Sequence, residues 1–168
     1  MILQEISQRN ARRYPNKTAL VFEANRFTFK ELNNRVNSLI NALLDLGVSQ
    51  GDRIALLADN CHQYVELPLV AAKGGMAVNT INPMLSAREL AYLINNAGAN
   101  TIIFAESYMD SINSIRQELK TVKNIIVIGN PQNGMKSYEA LIDSYTPEEP
   151  GVQINDDDLL FLLCSGGT

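Results

Sequence analysis

The residues best suited to chemistry stand together at one end of the sequence, where Cys164-Ser165-Gly166-Gly167-Thr168 succeeds the apolar run Leu159-Leu160-Phe161-Leu162-Leu163. Glycines let backbone amides approach an anion closely, successive amides form a positively polarised concavity, and the Ser165 and Thr168 hydroxyls add donors. This is chemistry suited to phosphate. The same tetrapeptide, Ser-Gly-Gly-Thr, also describes an ordinary surface turn. No Walker Gly-x-x-x-x-Gly-Lys pattern and no Gly-x-Gly-x-x-Gly fingerprint occurs, so the two commonest nucleotide loops are excluded by inspection.

Other reactive residue types read as structural. His62 is the only histidine, near a helix start beside Asn60 and without a partner in the neighbouring sequence, and is expected to be a surface or capping residue. Cys164 ends an apolar run, where a small thiol packs well. The run Asp156-Asp157-Asp158 lacks the spaced ligands of a calcium loop and precedes a strand, so a solvated turn is expected. Cys61 and Cys164 are the only cysteines, too few for a disulfide framework and without zinc-site spacing, and both are expected to be reduced.

Positioning a loop of this kind needs a scaffold, and the local signals describe one. Thr28 and Glu31 form a capping box with Phe27 and Leu32 as staple; Ser86 and Glu89 repeat it with Leu85 and Leu90. Leu32, Val36, Leu39, Ile40 and Leu43 recur at helical spacing until Gly47; Leu90, Leu93, Ile94 and Ala97 do so until Gly98. A third helix is expected from Asn60 to Gly74-Gly75, with Pro68 kinking it or marking a late start. Apolar runs at 54–58, 77–81, 101–105, 125–128 and 159–163 suit strands buried on both faces, with 54–58 and 159–163 interior. Segments 18–22 and 26–29, joined through Ala24 and Asn25, read as a small hairpin. Residues 129–136 are the most linker-like. Strands alternating with helices predict a three-layer α/β fold, a mostly parallel sheet flanked by helices, with at least four parallel strands. In such sheets ligands lie beyond the carboxyl ends of the strands, which directs attention to the residues after Leu163.

The 168 residues, 46% hydrophobic, suffice for one core and suggest one domain or part of one. Fourteen Lys and Arg against 18 Asp and Glu give a formal charge of -4 with no concentrated basic face, which argues against a nucleic-acid partner. No signal-like start and no apolar stretch of roughly 18 residues is present, so a soluble cytoplasmic protein without a membrane span is expected.

Several segments resemble the AMP-forming, adenylate-forming enzymes, and among them the acyl-CoA synthetases. The stretch from Asp157-Asp158 through Leu163 into Cys164-Ser165-Gly166-Gly167-Thr168 resembles that family's acidic pair, apolar strand and Tyr-Thr-Ser-Gly-Thr-Thr-Gly-x-Pro-Lys-Gly loop. Phe27-Thr28-Phe29-Lys30-Glu31-Leu32 is similar to its Thr-Tyr-x-Glu-Leu segment, and Leu46-Gly47-Val48-Ser49-Gln50-Gly51-Asp52-Arg53-Ile54-Ala55 to its Leu-Gly-Val-x-x-Gly-Asp-Arg-Val-Ala strand. Ala71-Ala72-Lys73-Gly74-Gly75-Met76-Ala77-Val78 and Asn82-Pro83-Met84-Leu85-Ser86-Ala87-Arg88-Glu89-Leu90 come next, in the family's order. Leu163-Cys164 replaces the usual Tyr-Thr, and Gly167 the usual hydroxyl residue, which removes two phosphate donors and leaves the backbone, Ser165 and Thr168.

The resemblance implies that residues 1–168 are the amino-terminal portion of the large AMP-binding domain. The rest of the loop, the adenine, ribose and metal contacts and a carboxy-terminal catalytic Lys are then expected after Thr168. It implies ATP, magnesium and coenzyme A as cofactors and a small-molecule carboxylic acid, a fatty or other hydrophobic acid, as substrate. Ser165, Gly166, Gly167 and Thr168 are the phosphate-holding residues, with no catalytic and no metal-binding residue in the chain. A homo-oligomer is compatible with this reading. Two alternatives stay open: an amino-acid-adenylating domain serving a carrier protein, and a non-catalytic fragment. The first usually carries a Tyr-Val-Pro-Leu-Asp-Pro-like stretch where Ala77-Val78-Asn79-Thr80-Ile81-Asn82-Pro83 stands here.

Overall fold

The computed structural model describes residues 3–163. Helix α1 (Glu5–Arg13) precedes a hairpin of β1 (Thr18–Phe22) and β2 (Asn25–Thr28), after which helices and strands alternate. They are α2 (Phe29–Asp45), β3 (Arg53–Leu57), α3 (Gln63–Gly74), β4 (Ala77–Thr80), α4 (Ala87–Asn96) and β5 (Thr101–Ala105). The last elements are α5 (Met109–Ile115), β6 (Asn124–Ile128), β7 (Lys136–Ser137) and α6 (Tyr138–Ser144).

Helix α2 begins where its capping box places it: Glu31 N–H donates to Thr28 Oγ1 at 3.2 Å, and Thr28 N–H donates to the Glu31 carboxylate at 2.7 Å. At α4 the Glu89 carboxylate accepts from the Ser86 N–H at 2.8 Å. Both helices stop at glycines in the left-handed region, Gly47 at φ 80° and Gly98 at φ 64°. Helix α3 starts at Gln63 and continues through Pro68, so the proline does not mark a late start. The hairpin turn lies one residue earlier than expected: Phe22 pairs with Asn25, leaving Glu23 and Ala24 in the turn, with Glu23 at φ 52°.

Five parallel strands form the main sheet in the order β4-β3-β5-β6-β7. Alternation sends Ile54, Leu56, Ile103 and Ile126 to one face, under α2, α3 and α6, and Ala55, Leu57, Ile102, Phe104 and Val127 to the other, under α4 and α5. Both faces are covered, and this is why the strands read as continuous apolar runs. The architecture is the expected three-layer α/β sandwich with a small antiparallel hairpin.

One strand expectation is corrected. The run 159–163 is not interior: it touches the sheet only through a parallel bridge of Phe161 to Val78 at the outer edge of β4. Leu159, Phe161 and Leu163 are 46%, 40% and 68% exposed, while Leu160 packs on the core under α2 and α3. An apolar run reports that burial is favourable but does not name the neighbour, and no described strand pairs with its other edge.

Candidate functional site

Ser165, Gly166, Gly167 and Thr168, together with Cys164, lie outside the described residues. The structure supplies the route by which the chain reaches them. After α6 the backbone lies along α2 as a strap fastened by side chains. Ser38 Oγ donates to the Tyr145 carbonyl at 2.9 Å, Asn37 to Pro147 at 2.9 Å, and Asn41 to Thr146 and Glu148 at 3.1 and 3.0 Å. Asn33, Asn37 and Asn41 recur every four residues and so share one helix face.

A buried cation completes the fastening. Lys73 Nζ, from α3, donates to Asn33 and Asn37 at 3.0 and 2.7 Å and pairs with Glu149 of the strap. Burial pulls the Lys73 ammonium below its ordinary value, against the opposing pull of Glu149. Glu149 is lowered although burial alone would raise it, because Lys73 holds its charged form.

Beyond the strap, Gln50 Nε2 donates to the Gln153 carbonyl at 3.0 Å and to Asp158 Oδ2 at 2.8 Å. Asp158 also accepts the Asn155 N–H at 2.9 Å; that bond first, and Gln50 second, hold its carboxyl below the usual carboxylate range. Of the three aspartates expected in a solvated turn, Asp156 and Asp157 are exposed and Asp158 is engaged. A cleft of about 290 Å³ opens beside it, between Leu3, Ala71, Gly75, Ile154 and Leu159. The Val78 N–H then donates to the Leu160 carbonyl at 2.9 Å, and the Leu162 N–H to the Val78 carbonyl at 3.0 Å. Because this pairing is parallel, Leu163 leaves toward the carboxyl edge of the sheet.

That edge is where the strand order reverses: the chain leaves β3 for β4 on one side and returns to β5 on the other. Two polar pairs there are satisfied, while the buried side-chain amide of Asn79 on β4 has no hydrogen-bond partner among the described residues. Tyr108 donates to Asp59 at 2.8 Å, and the Asn130 N–H to Glu106 at 2.9 Å. No nucleophile and base stand paired among them.

The densest polar cluster in the described residues lies instead between α2, α3 and α6. The Arg35 guanidinium straddles Glu66 and Glu139, its Nη1 and Nη2 reaching Glu139 at 2.8 and 2.9 Å, while Tyr138 donates to Glu66 at 2.8 Å. Burial favours the neutral Glu139 carboxyl, yet His62 and Arg35 facing it hold it down at about 2. Of these two, Arg35 dominates, because His62 Nε2 stands 3.8 Å from Glu139, beyond hydrogen-bonding reach. His62 is not a surface residue: its side chain is 12% exposed and its ring packs 5.1 Å from Phe27. It occupies the cap position of α3 without a side-chain capping bond. Burial pushes the half-buried Cys61 thiol up, toward the unreactive form. This cluster is structural, a clamp joining three helices on one face of the sheet.

Sequence reading missed Gln50, Lys73 and the strap. The four-residue spacing of Asn33, Asn37 and Asn41 was the available signal, since such a row of amides on one face of an amphipathic helix asks for partners.

A family model described as AMP-binding enzyme matches residues 7–168. A long-chain-fatty-acid–CoA ligase of Thermus thermophilus is 33% identical over 127 residues, covering 74% of this chain and 24% of that protein. A crotonobetaine/carnitine–CoA ligase of Salmonella agona is 28% identical over 170 residues, covering 92% and 32%. Among solved structures, the anthranilate CoA ligase AuaEII in complex with anthranoyl-AMP superposes with a TM-score of 0.93 at 30% identity, over 99% of this chain and 32% of that one. A Mycobacterium tuberculosis fatty acyl CoA synthetase gives 0.87 at 28% identity, over 98% and 32%. The chain therefore spans between a quarter and a third of the length of these relatives. Among the described residues no helix is long and apolar enough to cross a membrane.

Proposed function

We infer the function from membership: the chain belongs to the AMP-binding enzyme family, and it is the amino-terminal portion of the large adenylation domain of an AMP-forming acyl-CoA synthetase. The intact enzyme, read as a cytoplasmic protein, joins a carboxylic acid to ATP. A carboxylate oxygen bonds to the α-phosphorus, the bond from that phosphorus to the pyrophosphate oxygen breaks, and pyrophosphate leaves. The thiol of coenzyme A then gives up its proton to solvent as its sulfur bonds to the acyl carbon, and AMP leaves with the electrons of the broken carbon–oxygen bond. The acid is a fatty or other hydrophobic acid, as the names of the relatives suggest.

Attack of one anion on another requires alignment and charge neutralisation. In this chain the task falls to Ser165, Gly166, Gly167 and Thr168, whose amides and hydroxyls hold the β- and γ-phosphates and align the leaving pyrophosphate. They transfer no proton. Magnesium, when bound, neutralises phosphate charge, and no described residue is assigned to it. The observation that supports this reading best is the parallel seating of Phe161 against Val78, which sends the chain toward the carboxyl edge of the sheet just before its glycine-rich run.

The test is carboxylate-dependent exchange of pyrophosphate into ATP. The full-length enzyme is expected to exchange with a hydrophobic acid and to form its thioester with coenzyme A, while the 168-residue chain stays at background. Failure of the full-length protein with a panel of acids would overturn the assignment, and exchange by the short chain would show the site to be wrongly placed.

A further inference from the structure

We propose that Gln50 and Asp158 are positioning residues for the phosphate step: they form a clasp that fixes the register of residues 159–163 on β4 and thereby the height of the glycine-rich loop. The functional half of this proposal rests on the reading of Ser165 to Thr168 as phosphate-binding residues.

The clasp is built from segments distant in sequence. Gln50 Nε2 grips the Gln153 carbonyl and Asp158 Oδ2, at 3.0 and 2.8 Å, across separations of 103 and 108 residues. The turn that carries Gln50 is itself fixed, because the Gly51 N–H donates to the Gly75 carbonyl at 2.7 Å and the Ser49 N–H to Asp52 at 2.7 Å. Gly75 is what allows the approach. It sits at φ 69°, and a Cβ there would fall 2.8 Å from Gln50 Cγ and 3.0 Å from Ile154 Cδ1. On the far side, Asp158 accepts from the Asn155 N–H at 2.9 Å and Asp158 N–H donates to the Asn155 carbonyl at 3.1 Å, closing a compact turn.

Without that turn, the segment after it is weakly specified. Among the described residues it is held to the sheet by two backbone bonds, and both go to one residue, Val78. Two bonds to a single residue make a pivot. Leu160 packs on the core and Leu162 is half-buried, whereas Leu159, Phe161 and Leu163 are exposed, so side-chain burial resists a slip only weakly and on one face. Asp158 is anchored two residues before Leu160 and removes that freedom. Ser165 stands three residues after Leu162, and a slip of one residue along a strand is a displacement of about 3.3 Å. A misplacement of only about 1 Å at a reacting centre can cost about a hundredfold in rate. The clasp is exposed and polar, so it adds little to global stability, and its effect falls on the register of residues 159–163.

Two measurements test it in the full-length enzyme. In pyrophosphate exchange, Gln50→Ala and Asp158→Ala are expected to lower kcat/KM for ATP by about tenfold or more, leaving KM for the acid within about twofold and Tm within about 3 °C. Asp158→Asn keeps an acceptor oxygen for Gln50 and Asn155 and should recover to within about threefold of wild type. Unchanged ATP parameters, or parameters that all fall together with Tm, would overturn the positioning role. Amide hydrogen exchange reads the clasp without activity: in Asp158→Ala the Val78 and Leu162 amides should exchange faster while Ala55 and Leu56 of β3 do not change. Unchanged exchange at Val78 and Leu162 would overturn the clasp itself. A wild-type enzyme with no acid-dependent exchange would instead overturn the functional reading and the role built on it.

Discussion

Replacing Arg35 by Met isolates the electrostatic term that holds α2, α3 and α6 together. Methionine keeps much of the apolar stem and removes the charged fork, which is 16% exposed. Glu66, at 1% exposure, then keeps the Tyr138 hydroxyl as its donor and loses the cation. Breaking a buried pair so that one charge remains uncompensated costs about 3–5 kcal/mol. Glu139, at 45% exposure, relaxes into water, and its share is discounted to about 1 kcal/mol or less. Urea unfolding followed by circular dichroism is expected to show a loss of about 3–5 kcal/mol for Arg35→Met. If the cost lies in the stranded charge, Glu66→Gln in the same background should restore at least half of it, because the neutral amide still accepts from Tyr138. A loss below about 1 kcal/mol, typical of a surface pair, or no recovery in the double variant, would refute the reasoning.

The same cluster sets an acid dependence. Glu139 is depressed to about 2 from an ordinary 4.5, so its contribution is present above pH 4.5 and is lost as pH falls from 4.5 toward 2, and Arg35→Met should flatten stability-versus-pH curves in that window. Gly75→Ala is expected to lose at least about 1–2 kcal/mol in urea unfolding, from left-handed strain alone. Ile154→Ala in that background removes one of the two close contacts but not the strain, and should recover only part. In the full-length enzyme, Thr168→Val should slow single-turnover adenylation about ten- to a hundredfold with acid affinity unchanged, the effect of losing one donor to a charged group; unchanged adenylation would leave the phosphates to the loop backbone.

How far the fold was legible depends on how far apart the cooperating residues lie. Capping boxes close over three residues, and Thr28 with Glu31 and Ser86 with Glu89 marked their helices correctly. The apolar runs at 54–58, 77–81, 101–105 and 125–128 each found a strand, because burial on both faces suppresses alternation. Helices α5 and α6 have seven residues each, too few turns for periodicity to stand out. Two long-range polar pairs had no local signal: Arg35 meets Glu139 across 104 residues, and Gln50 meets Asp158 across 108.

The run 159–163 belongs to a third kind of case. Its composition reports the free energy of burial, which is a property of the residues, whereas its position in the sheet is a property of neighbours. Sequence reading proposes phosphate chemistry for the glycine-rich run after Leu163, and those residues lie outside the described part. The structure adds the part that composition cannot carry. A segment joined to β4, among the described residues, at Val78 alone needs a second fixed point to have one register, and Gln50 with Asp158 supplies one upstream along the chain.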